Sequence, residues 1–163
     1  MIRPLTVGDA DELAALYVAN RDFLAPFEPV RPEAFFTAAG QRERIELRRD
    51  DTPLIAILDD GAIAGTISLT NVVRGALQSA HTGYWIDHAR NGRGLATGAV
   101  RDIVAFAFDE IGLHRLEAGT LVDNHASQRV LEKNGFERFG LAPRYLHIAG
   151  DWRDHVLFQR LND

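Results

Sequence analysis

A glycine-rich connection between a strand and a helix is the feature that most restricts what this chain can fold into. It spans Asp87–Thr97, after a strand-like run at 82–86 and before a helix-like run at 95–111. Such a turn presents backbone N–H groups at a helix N-terminus, where the helix dipole also favours negative charge. Arg90 and Arg93 add positive charge, so the turn predicts an anion site, most often for phosphate. The alternative is a glycine-rich connection without a ligand.

The spacing of the glycines excludes two common nucleotide-binding loops. No Gly-Lys-Ser/Thr follows the turn, as a Walker loop would require. Gly92, Gly94 and Gly98 give G-x-G-x-x-x-G, whereas the dinucleotide fingerprint is G-x-G-x-x-G. The ligand must therefore be inferred from the rest of the chain.

Hydrophobic periodicity predicts an α/β chain in the order β-α-α-β-β-β-α-β-α-β-β. With 163 residues, one domain covering 1–163 is expected. The strand–helix–strand connection makes 78–87 and 115–122 a parallel pair inside a mixed sheet. Three prolines between Phe23 and Pro32 exclude regular structure there. The expected helices are 8–23, 33–49, 95–111 and 123–135, and the expected strands are 2–5, 53–58, 63–70, 78–87, 115–122, 136–146 and 152–160.

A second helix start lies at the same end of the parallel pair as the glycine turn. Asp123 or Asn124 is suited to cap the helix that follows the strand at 115–122, and Gly135 is suited to end it. In open sheets with parallel strands, ligands bind beyond the carboxyl ends of those strands. Two helix N-termini at one crevice favour an anionic ligand more strongly than either alone.

The composition removes several classes of function. Cysteine is absent, which excludes disulfides, thiolate metal sites and a cysteine nucleophile. A formal net charge of −5 argues against nucleic acid as the main partner and mildly favours a cationic substrate such as an amine. Without a long apolar run or a leader-like start, neither a membrane span nor secretion is expected, and a cytoplasmic location is inferred. The six histidines lack ligand spacing, so no metal site is expected.

Two motifs give the chain a resemblance to the GNAT superfamily of acetyl-CoA-dependent N-acetyltransferases. The family's pyrophosphate motif is Gln/Arg-x-x-Gly-x-Gly/Ala, and the run at 91–96 resembles it at Gly94 and Ala96, with Asn91 in the first position. The second signature, Asn-x-x-Ser followed by Gly-Phe, resembles the runs at 124–127 and 135–136. The element order is similar over essentially the whole chain.

The resemblance implies acetyl-CoA as co-substrate, with no metal. The pyrophosphate would rest on the glycine turn, and the pantetheine arm would bind the backbone of the preceding strand near Asn124. The implied cofactor-binding residues are Trp85, Ile86, Asp87, Asn91, Gly92, Arg93, Gly94, Leu95, Ala96, Thr97, Asn124 and Ser127.

The resemblance also implies direct attack of a neutral amine on the thioester in a ternary complex. A backbone N–H within Trp85–Asp87 would stabilise the developing oxyanion. Ser127 is the candidate for stabilising the leaving thiolate, with Tyr145 as a second candidate. The candidate bases are Glu117, Glu28 and His147. The structural alternatives are that Ser127 suits a first helical turn, that Tyr145 suits a core, and that Glu117 could pair with Arg115.

The segments at 21–29 and 35–37 are further similar to the ribosomal-protein-alanine N-acetyltransferase branch, whose members acetylate the α-amine of a protein N-terminus. In that branch a tryptophan commonly stands where this chain has Phe27. Phe27, Glu28 and His147 are the implied substrate-binding residues, although Glu28 could be a solvent-facing charge. At pH 7 roughly a tenth of an α-amine is neutral, against about one lysine side chain in 2,500. The lack of an obvious dedicated base therefore favours the α-amine.

The sequence leaves other functions open. A small amine such as a polyamine, an antibiotic or an amino acid is the alternative acceptor. A non-catalytic acyl-CoA-binding or sensor domain is the alternative from another class. A homodimer is also compatible with the sequence.

Overall fold

A computed structural model describes residues 1–50 and 52–163 of the chain. None of the helices in these two stretches has the length and apolarity needed to cross a bilayer. The strands are β1 (Ile2–Pro4), β2 (Leu54–Asp59), β3 (Ala62–Val73), β4 (Ser79–Ile86), β5 (Arg115–Leu121), β6 (Glu137–Ile148) and β7 (Asp151–Leu161). The α-helices are α1 (Ala10–Ala19), α2 (Arg21–Leu24), α3 (Ala38–Glu46), α4 (Leu95–Ala105) and α5 (His125–Lys133).

The seven strands form one mixed sheet in the order β1-β2-β3-β4-β5-β7-β6. The pair β4–β5 is parallel, and the other neighbours are antiparallel. The predicted order and the predicted parallel pair are both confirmed. The hairpin between β2 and β3 turns at Asp60 and Gly61, which both have positive φ, as a two-residue Asp-Gly turn requires.

The parallel strands separate soon after they meet. Their ladder covers Ser79–His81 on β4 and Arg115–Glu117 on β5. Both strands then continue, to Ile86 and Leu121, without further pairing between them in the described chain. The sheet therefore opens into a gap, and the backbone groups of the two inner edges become available to a ligand.

Helices cover both faces of the sheet. On one face α4 and α5 pack over a core that includes Ile67, Val100 and Leu131. On the other face α1 and α3 pack over a smaller core that includes Tyr17 and Ile63. Successive side chains of β4 point to opposite faces, so Tyr84 and Ile86 join the first core, while Trp85 joins the second.

The first helical region is divided where one helix was expected. The predicted helix at 8–23 is a 3-10 turn at Val7–Asp9, then α1, then α2, with a break at Asn20 (φ −104°, ψ 8°). The break has a physical cause, because the Asn20 side chain bonds to Asp87 and to the His88 backbone.

The second helical region is also divided. The predicted helix at 33–49 is a 3-10 turn at Glu33–Phe36 followed by α3. Between them Thr37 is extended (φ −105°, ψ 154°), and its hydroxyl oxygen accepts the Gly40 N–H at 3.1 Å. Thr37 therefore caps α3 and stops the preceding turn from running into it.

Candidate active site

The glycine turn forms an open cradle at the start of α4. Gly92 and Gly94 have φ values of +78° and +79°, in the left-handed region, and no described atom lies within 4 Å of a Cβ built on either. Gly94 is the residue before the helix, so the N–H groups of Leu95, Ala96 and Thr97 have no intrahelical acceptor. This arrangement suits a pyrophosphate, since several backbone donors face open space at a helix N-terminus.

A side-chain network fixes the start of this turn. Asn20 donates to Asp87 Oδ1 at 3.1 Å, and its own oxygen accepts the His88 N–H at 2.9 Å. The same Asp87 carboxylate accepts the Ala89 N–H at 3.3 Å and lies 3.5 Å from Arg90 Nε. Asp87 was predicted to bind the cofactor, but it does not line the cavity at the turn. Its carboxylate accepts from Asn20 and from the Ala89 N–H, and a cofactor contact of Asp87 stays a prediction.

The two arginines of the turn share one carboxylate. Arg90 Nη1 lies 3.6 Å from Asp59 Oδ2, and Arg93 forms an ion pair with the same oxygen. Arg90 also lines the cavity at the turn. Arg93, a predicted cofactor residue, is half-exposed and lies outside the cavity lining.

A large cavity leads from the turn toward the gap in the sheet. Its volume is about 540 Å³, and it lies between α2, the end of β4, the start of α4 and α5. Ten of the predicted cofactor-binding residues line it: Trp85, Ile86, Asn91, Gly92, Gly94, Leu95, Ala96, Thr97, Asn124 and Ser127.

The start of α5 brings two hydroxyl groups together. Asn124 caps the helix by accepting the Ser127 N–H at 3.2 Å, which confirms one of the two expected caps. Ser127 Oγ lies 2.8 Å from the Tyr84 hydroxyl, which also donates to the Ser127 carbonyl oxygen at 3.2 Å. Burial raises the pKa of Tyr84 to about 12, although the bond to Ser127 opposes this shift. A role for the Tyr84 side chain was not predicted from the sequence. The signal that could have indicated it was the position of Tyr84 on the face of β4 that packs under α4 and α5.

A second, smaller cavity occupies the gap between β4 and β5. Its volume is about 200 Å³. Four residues, Phe27, Tyr84, Asn124 and Ser127, line both cavities, so the two spaces meet at these side chains. The other residues that line the smaller cavity are Thr82, Gly83, Ala118, Gly119, Thr120, Leu121, Leu131, Leu146, Ile148 and His155.

Glu117, one of the candidate bases, lies at the paired end of the parallel strands. It bonds to Arg115, and its Oε2 lies 3.1 Å from His81 Nε2. It lines neither cavity. The structure therefore places it in the ion pair that was the alternative interpretation.

The other predicted chemical groups lie around the β6–β7 hairpin. The Tyr145 ring stands edge-on to His155 at 5.7 Å, and the His147 ring lies 5.3 Å from Trp152. Burial raises the pKa of Glu28, whose carboxylate lies 3.6 Å from Arg31 Nε. Tyr145, His147 and Glu28 do not line either cavity, whereas Phe27 lines both.

Comparison with known proteins identifies the family. Residues 1–137 match the model of the acetyltransferase (GNAT) domain. The chain belongs to this family of acetyltransferases. It is 44% identical over 168 residues to the probable N-acetyltransferase YjcK of Bacillus subtilis (strain 168), covering 99% of this chain and 93% of that protein. It is 35% identical over 164 residues to the ribosomal protein uS5-alanine N-acetyltransferase of Escherichia coli (strain K12), covering 96% and 84%.

A solved structure supports the same assignment. The complex of Mycobacterium smegmatis RimJ with CoA-disulfide matches this acetyltransferase with a TM-score of 0.93 at 32% identity, covering 98% of this chain and 80% of that one. The expected fold, with its one parallel strand pair, and the expected class of enzyme, an acyltransferase, are therefore confirmed.

Proposed function

We propose that this acetyltransferase is one domain over 1–163 that transfers an acetyl group from acetyl-CoA to the α-amine of a protein or peptide N-terminus. The junction of the two cavities at Phe27, Tyr84, Asn124 and Ser127 carries this proposal. A direct transfer needs the donor and the acceptor to meet without an intermediate on the protein. Two spaces that enter the gap from different sides provide that meeting point.

The larger cavity would hold coenzyme A. Its pyrophosphate would lie on the open glycines and on the first N–H groups of α4, with Arg90 adding positive charge. The pantetheine arm would follow the inner edge of β4, which has no neighbouring strand after His81. The thioester would then lie at the junction, beside Tyr84 and Ser127.

The strand geometry selects one N–H group for the developing oxyanion. The Asp87 N–H donates to the Ala64 carbonyl at 2.7 Å, so it points toward β3. Because successive residues of a strand direct their N–H groups to opposite edges, the Ile86 N–H points into the gap. A fixed donor at this place stabilises negative charge as it develops on the thioester oxygen.

The leaving thiolate needs a proton or a hydrogen-bond donor, and the Tyr84–Ser127 pair can supply it. Since burial raises the pKa of Tyr84 to about 12, this phenol keeps its proton at neutral pH. Either hydroxyl of the pair can donate to the other. The pair can therefore donate to sulfur through Ser127 while Tyr84 stabilises the charge that remains.

Two observations support an α-amine as the acceptor. No aspartate or glutamate of the described chain lines either cavity, so the site lacks the carboxylate base that a lysine acceptor would need more strongly. A relative at 35% identity over nearly the whole chain is named as a ribosomal-protein-alanine N-acetyltransferase.

A thiol-release assay with acetyl-CoA tests the proposal. The panel contains peptides that begin with alanine or serine, the same peptides with a blocked N-terminus and an internal lysine, and free small amines. We expect release with the free N-terminal peptides and a mass increase of one acetyl group on the first residue. If only small amines are turned over, the acceptor is a small amine and not a protein N-terminus. If acetyl-CoA binds but no amine causes thiol release, the protein is a binding domain.

A further inference from the structure

His155 on β7 is a buried base that points into the smaller cavity. Its side chain is 4% exposed and lines that cavity. Its Nδ1 lies 3.0 Å from the Arg153 carbonyl oxygen. A carbonyl can only accept, so Nδ1 must carry the hydrogen, and the neutral ring then has a bare, basic Nε2. The bond to Arg153 involves Nδ1, and no described residue has a hydrogen bond with the His155 Nε2.

His155 approaches the gap from the opposite face to the Tyr84–Ser127 pair. It pairs with Leu121 on β5, and a Cβ built on Gly119 would lie 3.7 Å from His155 Cδ2. Because Cδ2 and Nε2 are neighbours in the ring, this edge of His155 lies over a glycine, where no side chain fills the space. Tyr84 belongs to the core under α4 and α5, on the other face.

A buried hydroxyl in the same cavity also lacks a partner. Thr82 is 6% exposed, and its Oγ1 has no hydrogen-bond partner in the described structure. Thr82 shares the Tyr84 face of β4, whereas His155 reaches the cavity from the other face, so the smaller cavity has lining residues on both faces of the gap.

The remaining groups of the cavity cannot accept a proton in place of His155. Among the described residues that line it, Tyr84 and His155 are the titratable ones. Tyr84 is held neutral by burial and is already bonded to Ser127. The Tyr145 ring, which stands edge-on to His155 at 5.7 Å, is outside the lining.

We propose that the smaller cavity holds the acceptor amine and that His155 Nε2 takes its proton during acetyl transfer. This inference rests on the function proposed above and names the base for the same site. The amine nitrogen forms a bond to the carbonyl carbon as the carbon–sulfur bond breaks. The amine loses one proton to Nε2, and the thiolate gains one from the Tyr84–Ser127 pair, which is reprotonated from solvent. The charged ring stays oriented, because its Nδ1–H still donates to the Arg153 carbonyl oxygen.

The matched substitution is His155→Asn, because the asparagine amide can keep the bond to the Arg153 carbonyl while it removes Nε2. We expect the kcat for the preferred acceptor to fall about 100-fold, the low end for a general base. The acetyl-CoA affinity should stay within twofold. His114→Asn, at an exposed position before β5, should leave both values unchanged. A kcat of His155→Asn within threefold of the wild-type value would overturn the assignment.

A binding measurement on the wild-type protein separates this inference from the proposed function. Histidine ¹⁵N signals are recorded with CoA bound while each amine of the panel is added, and His155 is assigned by its loss in the variant. We expect the bare Nε2 signal to shift as an amine binds. If no acceptor releases thiol, the proposed function fails, yet a shift would still place an amine at His155. An unmoved signal with every amine would overturn the inference, and this readout does not depend on any turnover by the variant.

Discussion

Removal of the Tyr84 hydroxyl tests most directly whether the Tyr84–Ser127 pair stabilises the leaving thiolate. Tyr84→Phe keeps the ring in the core but takes away the group that lies 2.8 Å from Ser127 Oγ. The net loss of one such bond is about 1 kcal/mol of unfolding free energy. In a chain of this length that is about 2–4 °C in Tm.

The effect on turnover should be larger than the effect on stability. A positioned acid typically contributes about 10²–10⁴-fold, and Ser127 remains in the variant, so we expect kcat to fall about 10- to 100-fold. Acetyl-CoA affinity should change less than threefold, since the cradle at the glycine turn is untouched. Tyr17→Phe is the matched control, because it removes another buried hydroxyl at a residue that lines neither cavity.

The assay is steady-state thiol release by Tyr84→Phe, Ser127→Ala and the double variant. If the two hydroxyls act as one unit, the double variant should be at most about twofold slower than the slower single one. Losses that multiply in the double variant would refute the shared role. Equal losses of kcat in Tyr17→Phe would show that the effect is merely structural.

The raised pKa of Tyr84 adds a pH signature. Folding holds the phenol neutral up to about pH 12, whereas its ordinary pKa is 10.0. The associated stability is fully present below pH 10 and is lost as the pH rises from about 10 to 12, by up to about 3 kcal/mol. Urea unfolding of the wild type and of Tyr84→Phe over that window checks it, because the variant should lack this part of the decline.

Three further substitutions test the cradle, the N-terminal turn and the open end of the sheet. Gly94→Trp should abolish acetyl-CoA binding, measured by calorimetry, because the indole fills the cradle. Gly75→Trp is the control, since it has similar left-handed strain (φ +69°) at an exposed turn and should bind normally. Equal affinities of the two variants would show that the glycine turn is only a connection. The bidentate Arg3 holds the pKa of the Asp9 carboxyl well below its usual range. The stability from this pair is present above about pH 3.9 and is lost as the pH falls. Asp9→Asn should therefore melt at a lower temperature at pH 7, and its stability should depend less on acid pH. Gly65→Ala places a Cβ 2.0 Å from the Trp85 carbonyl oxygen, so urea unfolding should show a loss of more than about 2 kcal/mol, and an unchanged midpoint would contradict the close approach.

Local signals in the sequence predicted much of the fold and the open geometry of the glycine turn. Asn124 and Gly135 carry the chemistry of a helix start and end, and Asp60-Gly61 carries that of a tight hairpin, whatever the rest of the chain does. The Gly94 turn likewise works through its own backbone. These positions were predictable because the interactions that decide them lie within a few residues.

The chemistry at the junction depends on contacts that sequence periodicity does not show. Asn20 lies on a helical pattern, yet α1 ends there and the Asn20 side chain bonds to Asp87, 67 residues later. The Tyr84 hydroxyl contacts Ser127, which is 43 residues later in the chain. Glu117 forms an ion pair with Arg115. His155 stands in a final strand with no motif around it. The register between the strands and the point at which β4 and β5 separate determine where such side chains lie.

That parting has a consequence for the intact sheet. Two inner strand edges with unpaired amides and carbonyls are normally a hazard, because they invite pairing with another chain. Here the two free edges end at the N-termini of α4 and α5, beside the contact between Tyr84 and Ser127. A strand from another chain therefore has no continuous edge with which to pair. The proposed binding mode would lay the extended arm of coenzyme A along the free edge of β4, where a missing strand would lie, with the acceptor amine beyond it in the same gap.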